Sequence, residues 1–163
     1  MKKLSLILFS ISILLIIQNL SYSEGKKIFG KAQVIDGDTI KINGEKIRLF
    51  GIDAFELQQT CIHKEYGKIK CGQGAKIILE SIVESKITHC FYSERDRYGR
   101  ILGTCFIETN NDKFQYMYDI NRWMVLLGQA VAYRRYSKKY IEAENLGMYS
   151  EYINPEEWRK KNK

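Results

Sequence analysis

The stretch from Val34 to Glu56 constrains this chain more than any other. Ile40 and Ile42 alternate with Thr39 and Lys41, and Ile47 and Leu49 alternate with Lys46 and Arg48. Period-two alternation marks half-buried strands. Asn43-Gly44 separates the two runs and supplies the positive φ angles of a tight hairpin turn. Residues 34–51 are therefore expected to form a hairpin with acids at its open end. Asp36 and Asp38 are two apart, so on a strand they point to one side. The hairpin then returns Asp53 beside them, with Glu56 just beyond. Clustered acids repel one another, and a hard cation held by carboxylate and carbonyl oxygens relieves that repulsion. Asp-Gly-Asp is equally a turn sequence, and Asp53 a loop cap; the local pattern leaves both readings open. Face parity does not account for Arg48, which falls opposite Ile47 and Leu49.

The length of 163 residues suits one domain with a proper core. A net charge of +7 suits an anionic partner such as nucleic acid or a membrane surface, or serves solubility alone. Residues 1–23 read as a secretory signal peptide: Lys2 and Lys3, an apolar run from Leu4 to Ile17, then Ser21-Tyr22-Ser23 before the cut. The alternative is an uncleaved anchor through residues 4–20, although a span needs about 20 apolar residues. Cleavage after Ser23 removes two lysines and no acid, leaving residues 24–163 as a single domain. Export to the periplasm or beyond agrees with four cysteines in that domain, a number that can pair fully. Cys61 and Cys71 flank a short polar loop, and Cys90 and Cys105 sit near the ends of neighbouring strands. Cys61–Cys71 and Cys90–Cys105 is the favoured pairing among three that remain open. A zinc site is disfavoured, because no Cys-x-x-Cys occurs and His63 and His89 lack ligand spacing.

Along the chain, strands are expected at 28–35, 38–42, 46–51, 87–92 and 101–107. Residues 57–72 read as a surface loop, with His63 solvated. Ala75, Ile78, Leu79 and Ile82 predict an amphipathic helix over 73–85. Asn110, Asn111 and Asp112 suggest a turn. Asp119 is a good N-cap for a helix carrying Ile120, Trp123, Met124 and Leu127 inward, with Gly128 as its stop. Arg134, Arg135, Lys138 and Lys139 are interleaved with Tyr133, Tyr136 and Tyr140, a mixture that meets phosphates and stacks bases, or forms a solvated helix start. A short helix is expected over 138–147, Pro155 opens a last turn, and the tail from Arg159 is expected to fray.

Three blocks then stand out together: Ile35-Asp-Gly-Asp-Thr39, Arg48-Leu-Phe-Gly-Ile-Asp-Ala-Phe-Glu56 and Asp96-Arg-Tyr-Gly-Arg100. In order and spacing they resemble the signature blocks of the thermonuclease (staphylococcal nuclease-like) family. Cys71-Gly-Gln73, Ala132-Tyr-Arg-Arg-Tyr136 and Pro155-Glu-Glu-Trp-Arg159 resemble further blocks of its exported bacterial branch. The resemblance covers residues 28 to 159. It implies a five-stranded OB-fold barrel packed with about three α-helices. It also implies calcium-dependent hydrolysis of phosphodiester bonds in DNA and RNA, single-stranded or unpaired, by a monomer. Matched block by block, Asp38, Asp53 and the Ala54 carbonyl would bind one Ca²⁺, with Asp36 nearby. Arg48 and Arg100 would clamp the phosphate, and Glu56 would orient or deprotonate the attacking water. Tyr98, Tyr133 and Arg135 would lie near the nucleotide.

The chain departs from the family pattern in four places. Phe55 stands where Pro is usual, Ala54 where some members have Thr, and Gly74 where an acid is usual. The third helix is short before Pro155. None removes a charged residue of the implied site. The alternative function is a non-catalytic nucleic-acid- or protein-binding module on the same fold. Such relatives usually lose an arginine or an acid that this chain keeps. A structural or adhesion domain is a third reading, and it implies indifference to calcium.

Overall fold

The computed structural model describes residues 25–63, 65–111, 114–147 and 154–162. The expected leader over 1–23 lies outside them. The acid-bearing hairpin is β3 (Thr39–Ile42) and β4 (Glu45–Leu49), in antiparallel register from Thr39 opposite Arg48 to Ile42 opposite Glu45. Asn43 and Gly44 take φ of 50° and 87°, so the turn has the two left-handed residues its sequence announced. Ile40, Ile42, Ile47 and Leu49 are fully buried.

This hairpin is the centre of a larger sheet. β1 (Lys26–Lys31), β2 (Gln33–Asp36), β8 (Ile87–Arg95) and β9 (Ile101–Asn111) complete the order β1-β8-β9-β4-β3-β2, and β10 (Phe114–Asp119) adds to β9. Among the described strands β4 and β9 pair in parallel, and the other pairs are antiparallel. The ladder is not a closed ring. Its two ends, β1 and β2, are one strand bent at Ala32, so a single stretch of chain lies along both edges. With the helices packed on it, this is the OB-fold architecture expected. β9 alternates strictly, turning Ile101, Gly103, Cys105 and Ile107 inward. Gly103 must be small, because a Cβ there would stand 2.8 Å from Ile47.

Four helices occur among the described residues, rather than three. α1 (Cys71–Val83) buries Ala75, Leu79 and Val83, two residues earlier at each end than the periodicity suggested. α2 (Ile120–Leu126) is capped by Asp119, whose carboxylate accepts from the Arg122 N–H at 3.0 Å. Trp123 departs from expectation. It is 38% exposed and leans on Tyr118, because Ile120, Met124 and Val125 already fill the core face. α3 (Ile141–Leu146) is short, and α4 (Pro155–Lys161) places Arg159 and Lys161 inside a helix, not in a frayed tail. No helix among the described residues is long and apolar enough to cross a membrane.

The segment 57–72 is more ordered than a loop. β6 (Cys61–His63) and β7 (Gly67–Ile69) pair as a small hairpin, and a Cys61–Cys71 disulfide closes it onto α1. His63 Nδ1 accepts the Glu65 and Tyr66 N–H groups and so shapes the hairpin turn. Cys90 and Cys105, register partners on β8 and β9, form the second disulfide. Two three-residue strands, β5 (Ile52–Ala54) and β11 (Ala130–Ala132), pair with every residue buried.

Asn121 locks these parts together. It is fully buried, donates to the carbonyls of Phe50 (2.9 Å) and Gly103 (3.1 Å), and accepts from the Cys105 N–H (3.1 Å). An apolar replacement orphans buried main-chain groups on two elements. Asn121→Leu is therefore expected to destabilise the fold by about 1–3 kcal/mol, read as a lowered urea midpoint at unchanged m value.

Candidate active site

β2 ends at Asp36 and β3 begins at Thr39, so Gly37 and Asp38 form the turn between them. Asp36 and Asp38 thus meet across a turn, not as same-face neighbours on one strand. The Asp38 N–H donates to Asp36 Oδ1 at 3.1 Å, which fixes the turn through a side chain. Gly37 is packed where a Cβ would come within 2.8 Å of Ala54 and 2.9 Å of Ala75. That contact presses the Asp38 turn against β5. There the Ala54 N–H donates to Asp38 Oδ2 at 3.2 Å, and Asp53 sits one residue before, 1% exposed.

Arg48 resolves its own puzzle of parity. Its side chain leaves the core face of β4 but is covered by the chain returning through β5. It pairs with Asp38 Oδ1, donates to Asp53 Oδ1 at 3.0 Å, and reaches the Ile52 carbonyl at 3.4 Å. Burial opposes the guanidinium's charge, but Asp38 and Asp53 outweigh it and hold Arg48 protonated beyond its usual range. Burial pushes the Asp53 carboxyl up, and its arginine partners only partly offset this. The Asp36 carboxyl is also pushed up, by burial first and by the Asp38 charge second.

Glu56 lies on the rim, its side chain 40% exposed. Its backbone is fixed from below. The Glu56 N–H donates to Gln59 Oε1 at 3.1 Å, and the Gln59 N–H returns a bond to the Glu56 carbonyl at 2.7 Å. A Cβ on Gly72 would stand 1.7 Å from that same carbonyl, so only glycine lets α1 approach the site this closely. Phe55, in the place of the usual Pro, is 5% exposed; burial of its ring anchors the segment instead of a fixed φ.

Arg159 was missed by sequence reasoning. From α4 it donates to Asp53 Oδ2 (2.7 Å) and Oδ1 (3.2 Å) and to Glu56 Oε1 (2.6 Å). Burial alone would weaken its charge, but these bonds more than reverse that and raise its pKa. Its partners lie more than a hundred residues away, and the Pro155–Arg159 block was the only sequence signal.

The other candidates stand further out. Arg100 is held by Asp96 through its backbone N–H (2.9 Å) and Nε (2.8 Å), and both Arg97 and Arg100 lie over the Tyr98 ring. Asp96 is partly buried, but its bonds to Arg100 outweigh that and keep its pKa low. Tyr133 follows β11, bonds the Gly51 carbonyl through its N–H (2.9 Å) and packs edge-on against Tyr136. Its hydroxyl pKa is raised by burial and then by the Asp53 charge. Arg135 is exposed.

For a hard dication the donors are of the right kind, since Asp36, Asp38, Asp53 and the Ala54 carbonyl are all oxygen. Among the described residues no three His, Cys, Asp or Glu side chains form a ready metal cluster. Asp38 and Asp53 are engaged by arginines. Asp38, Asp53 and Glu56 pair with Arg48 and Arg159, and Asp36 stands beside Asp38; four carboxylates against two guanidiniums leave a formal excess of two negative charges.

The family model for staphylococcal nuclease homologues matches residues 46–153. A succinoglycan biosynthesis protein, ExoI, of Rhizobium meliloti is 36% identical over 124 residues, covering 76% of this chain and 57% of its own length. An Escherichia coli protein named as an uncharacterised endonuclease is 33% identical over 109 residues, covering 64% of this chain and 60% of its own. The chain thus spans less than two thirds of either relative.

Removing Arg48 leaves Asp38 without its ion pair and Asp53 with Arg159 alone. Arg48→Ala is expected to cost about 3 kcal/mol at neutral pH, near the low end for a broken buried pair. Asp53 and Asp36 already have raised folded-state pKa values, and loss of the guanidinium raises that of Asp53 further. The folded variant then takes up protons more readily than the unfolded chain, so the deficit shrinks as pH falls. Urea unfolding in chelating buffer at pH 7 and pH 5 reads it; a deficit that stays equal or grows at pH 5 contradicts this account.

Proposed function

The chain belongs to the staphylococcal nuclease family, and from that premise we propose that it is a calcium-dependent nuclease hydrolysing phosphodiester bonds in DNA and RNA. The observation that carries this reading is the buried Asp38–Arg48–Asp53 cluster with Glu56 on its rim. The excess of two negative charges is what one dication balances. Asp38, Asp53 and the Ala54 carbonyl would hold that ion, with Asp36 supporting from the adjacent turn. A bound Ca²⁺ supplies positive charge where the phosphoryl oxygens become more negative.

The chain's own groups carry the remaining work. Arg48, fixed in place by Asp38 and Asp53, presents a preorganised guanidinium charge to the phosphate on which negative charge builds. Arg100, oriented by Asp96, is the second clamp, and its planar fork can take two phosphate oxygens. Glu56, exposed enough to meet solvent, accepts the proton of the attacking water. Tyr98 and Tyr133 offer ring faces to unpaired bases, and Arg135 a charge to the backbone. This favours single-stranded or unpaired substrate and needs no second subunit. Two disulfides support action in an oxidising compartment, the periplasm or outside the cell, after removal of residues 1–23.

The test uses purified protein with single-stranded DNA and RNA oligonucleotides, in calcium or in chelator. Cleavage is expected only with calcium. Arg100→Ala should lower kcat by about 10²–10³-fold, and Glu56→Gln by about 10²–10⁴-fold. Intact substrate in every condition, with salt-sensitive binding retained, would instead make this a binding module.

A further inference from the structure

Arg159 has an acid closer to it in sequence than the ones it pairs with. Glu156 lies one turn back on α4, but it pairs with Lys160 at 3.1 Å. Arg159 instead crosses to β5 and the segment after it, bonding both oxygens of Asp53 and one of Glu56. Those two carboxylates differ in kind. The Asp53 side chain is 2% exposed and rigidly placed in a strand, whereas that of Glu56 is 40% exposed on a three-torsion chain. One guanidinium therefore ties the exposed acid to the buried one. Its own backbone is anchored by buried Pro155 at the helix start, where Asn154 caps by accepting the Glu156 N–H at 2.9 Å.

We propose that Arg159 is a positioning residue of this site. It holds the Glu56 carboxylate in register with Asp53, and its charge sets how strongly the acids attract a dication. The proposal rests on the nuclease reading above. Two opposed effects follow. Without Arg159, Glu56 loses the contact that orients it, so turnover falls. Without Arg159, the acid cluster also gains one uncompensated negative charge, so calcium binds more tightly. A helix that merely braced the fold would give neither combination, since its loss would weaken metal binding and turnover together.

The experiment compares the whole protein with Arg159→Ala and Arg159→Lys. Three quantities are read: calcium affinity by titration calorimetry with calcium alone, cleavage kinetics on a single-stranded DNA oligonucleotide, and thermal midpoint. For Arg159→Ala we expect kcat to fall by about 10²-fold, the scale of a misplaced catalytic group, with KM little changed and calcium Kd several-fold lower. For Arg159→Lys the charge is kept, so calcium Kd should match the parent, while kcat recovers only in part because the two-pronged fork is gone. Unchanged kcat and Kd in a folded Arg159→Ala, or weaker calcium binding in both variants, overturns the positioning role. A parent protein that neither binds calcium nor cleaves DNA removes the nuclease reading itself, and that outcome is separate because it is read before any substitution.

Discussion

The ion network of Arg48 with Asp38 and Asp53 is the constraint on which the rest of the molecule depends. These groups sit where a stability-driven fold would place apolar side chains, between the barrel and the chain that returns after β4. Taking charges out of water is expensive, and well-packed hydrophobic residues in their place are often neutral or stabilising. The network is therefore poor evidence for stability as its purpose. Burial drives the pKa of Asp53 upward even with two arginines bonded to it. The same holds for Asp36, which feels the charge of Asp38. A cluster held in this state disfavours its own negative charge, which is the condition that the calcium reading proposed above would relieve.

Small residues are what allow the surrounding elements to close on that cluster. Gly37 lets the Asp38 turn touch Ala54 and Ala75, and Gly72 lets the start of α1 lie against the Glu56 carbonyl. Any side chain at Gly72 would push Glu56 outward by the width of an atom, so the position of the rim acid is set by a residue with no functional group. Gln59 and Asn121 act similarly through hydrogen bonds, one beneath Glu56 and one beneath Phe50. The charged residues are thus placed by packing constraints on neighbours that carry no charge.

The readable and unreadable parts of the sequence divide along the range of the interactions. The β3–β4 hairpin and its turn were legible to within two residues at each end, because alternation and Asn43-Gly44 are local. So were the stripe of α1 and the Asp119 cap. The five-strand scheme omitted β5, β6, β7, β10 and β11, several of them three residues long and without a period to detect. β5 and β11 are buried on all sides, so no polar alternation betrays them. Asp36 and Asp38 were correctly brought together for the wrong reason, since a turn, not strand parity, joins them. Trp123 was placed inward by its spacing, but a helix of seven residues has room for one buried stripe and Met124 with Val125 filled it. Arg159 was illegible because its meaning lies in partners on the far side of the chain.

The site consequently has two halves of different mechanical character. Arg48 lies on β4, which is paired on both sides, Asp53 on buried β5, which pairs with β11, and Asp38 in a turn pinned by Asp36, Leu49 and Ala54, so their geometry is fixed by the barrel. Glu56 and Arg100 stand on its rim, each steered by a single charged neighbour: Arg159 for the first, Asp96 for the second. On the nuclease reading proposed above, groups that stabilise charge on a fixed phosphate profit from rigidity, because reorganising them during the reaction would cost free energy. A group that must meet incoming water, or close on a polymer, needs access instead. Steering by an ion pair supplies orientation without burial. That division fits a site in which a half-exposed carboxylate, Glu56, stands beside a fully buried one, Asp53, and the two are linked by a guanidinium carried on a separate helix.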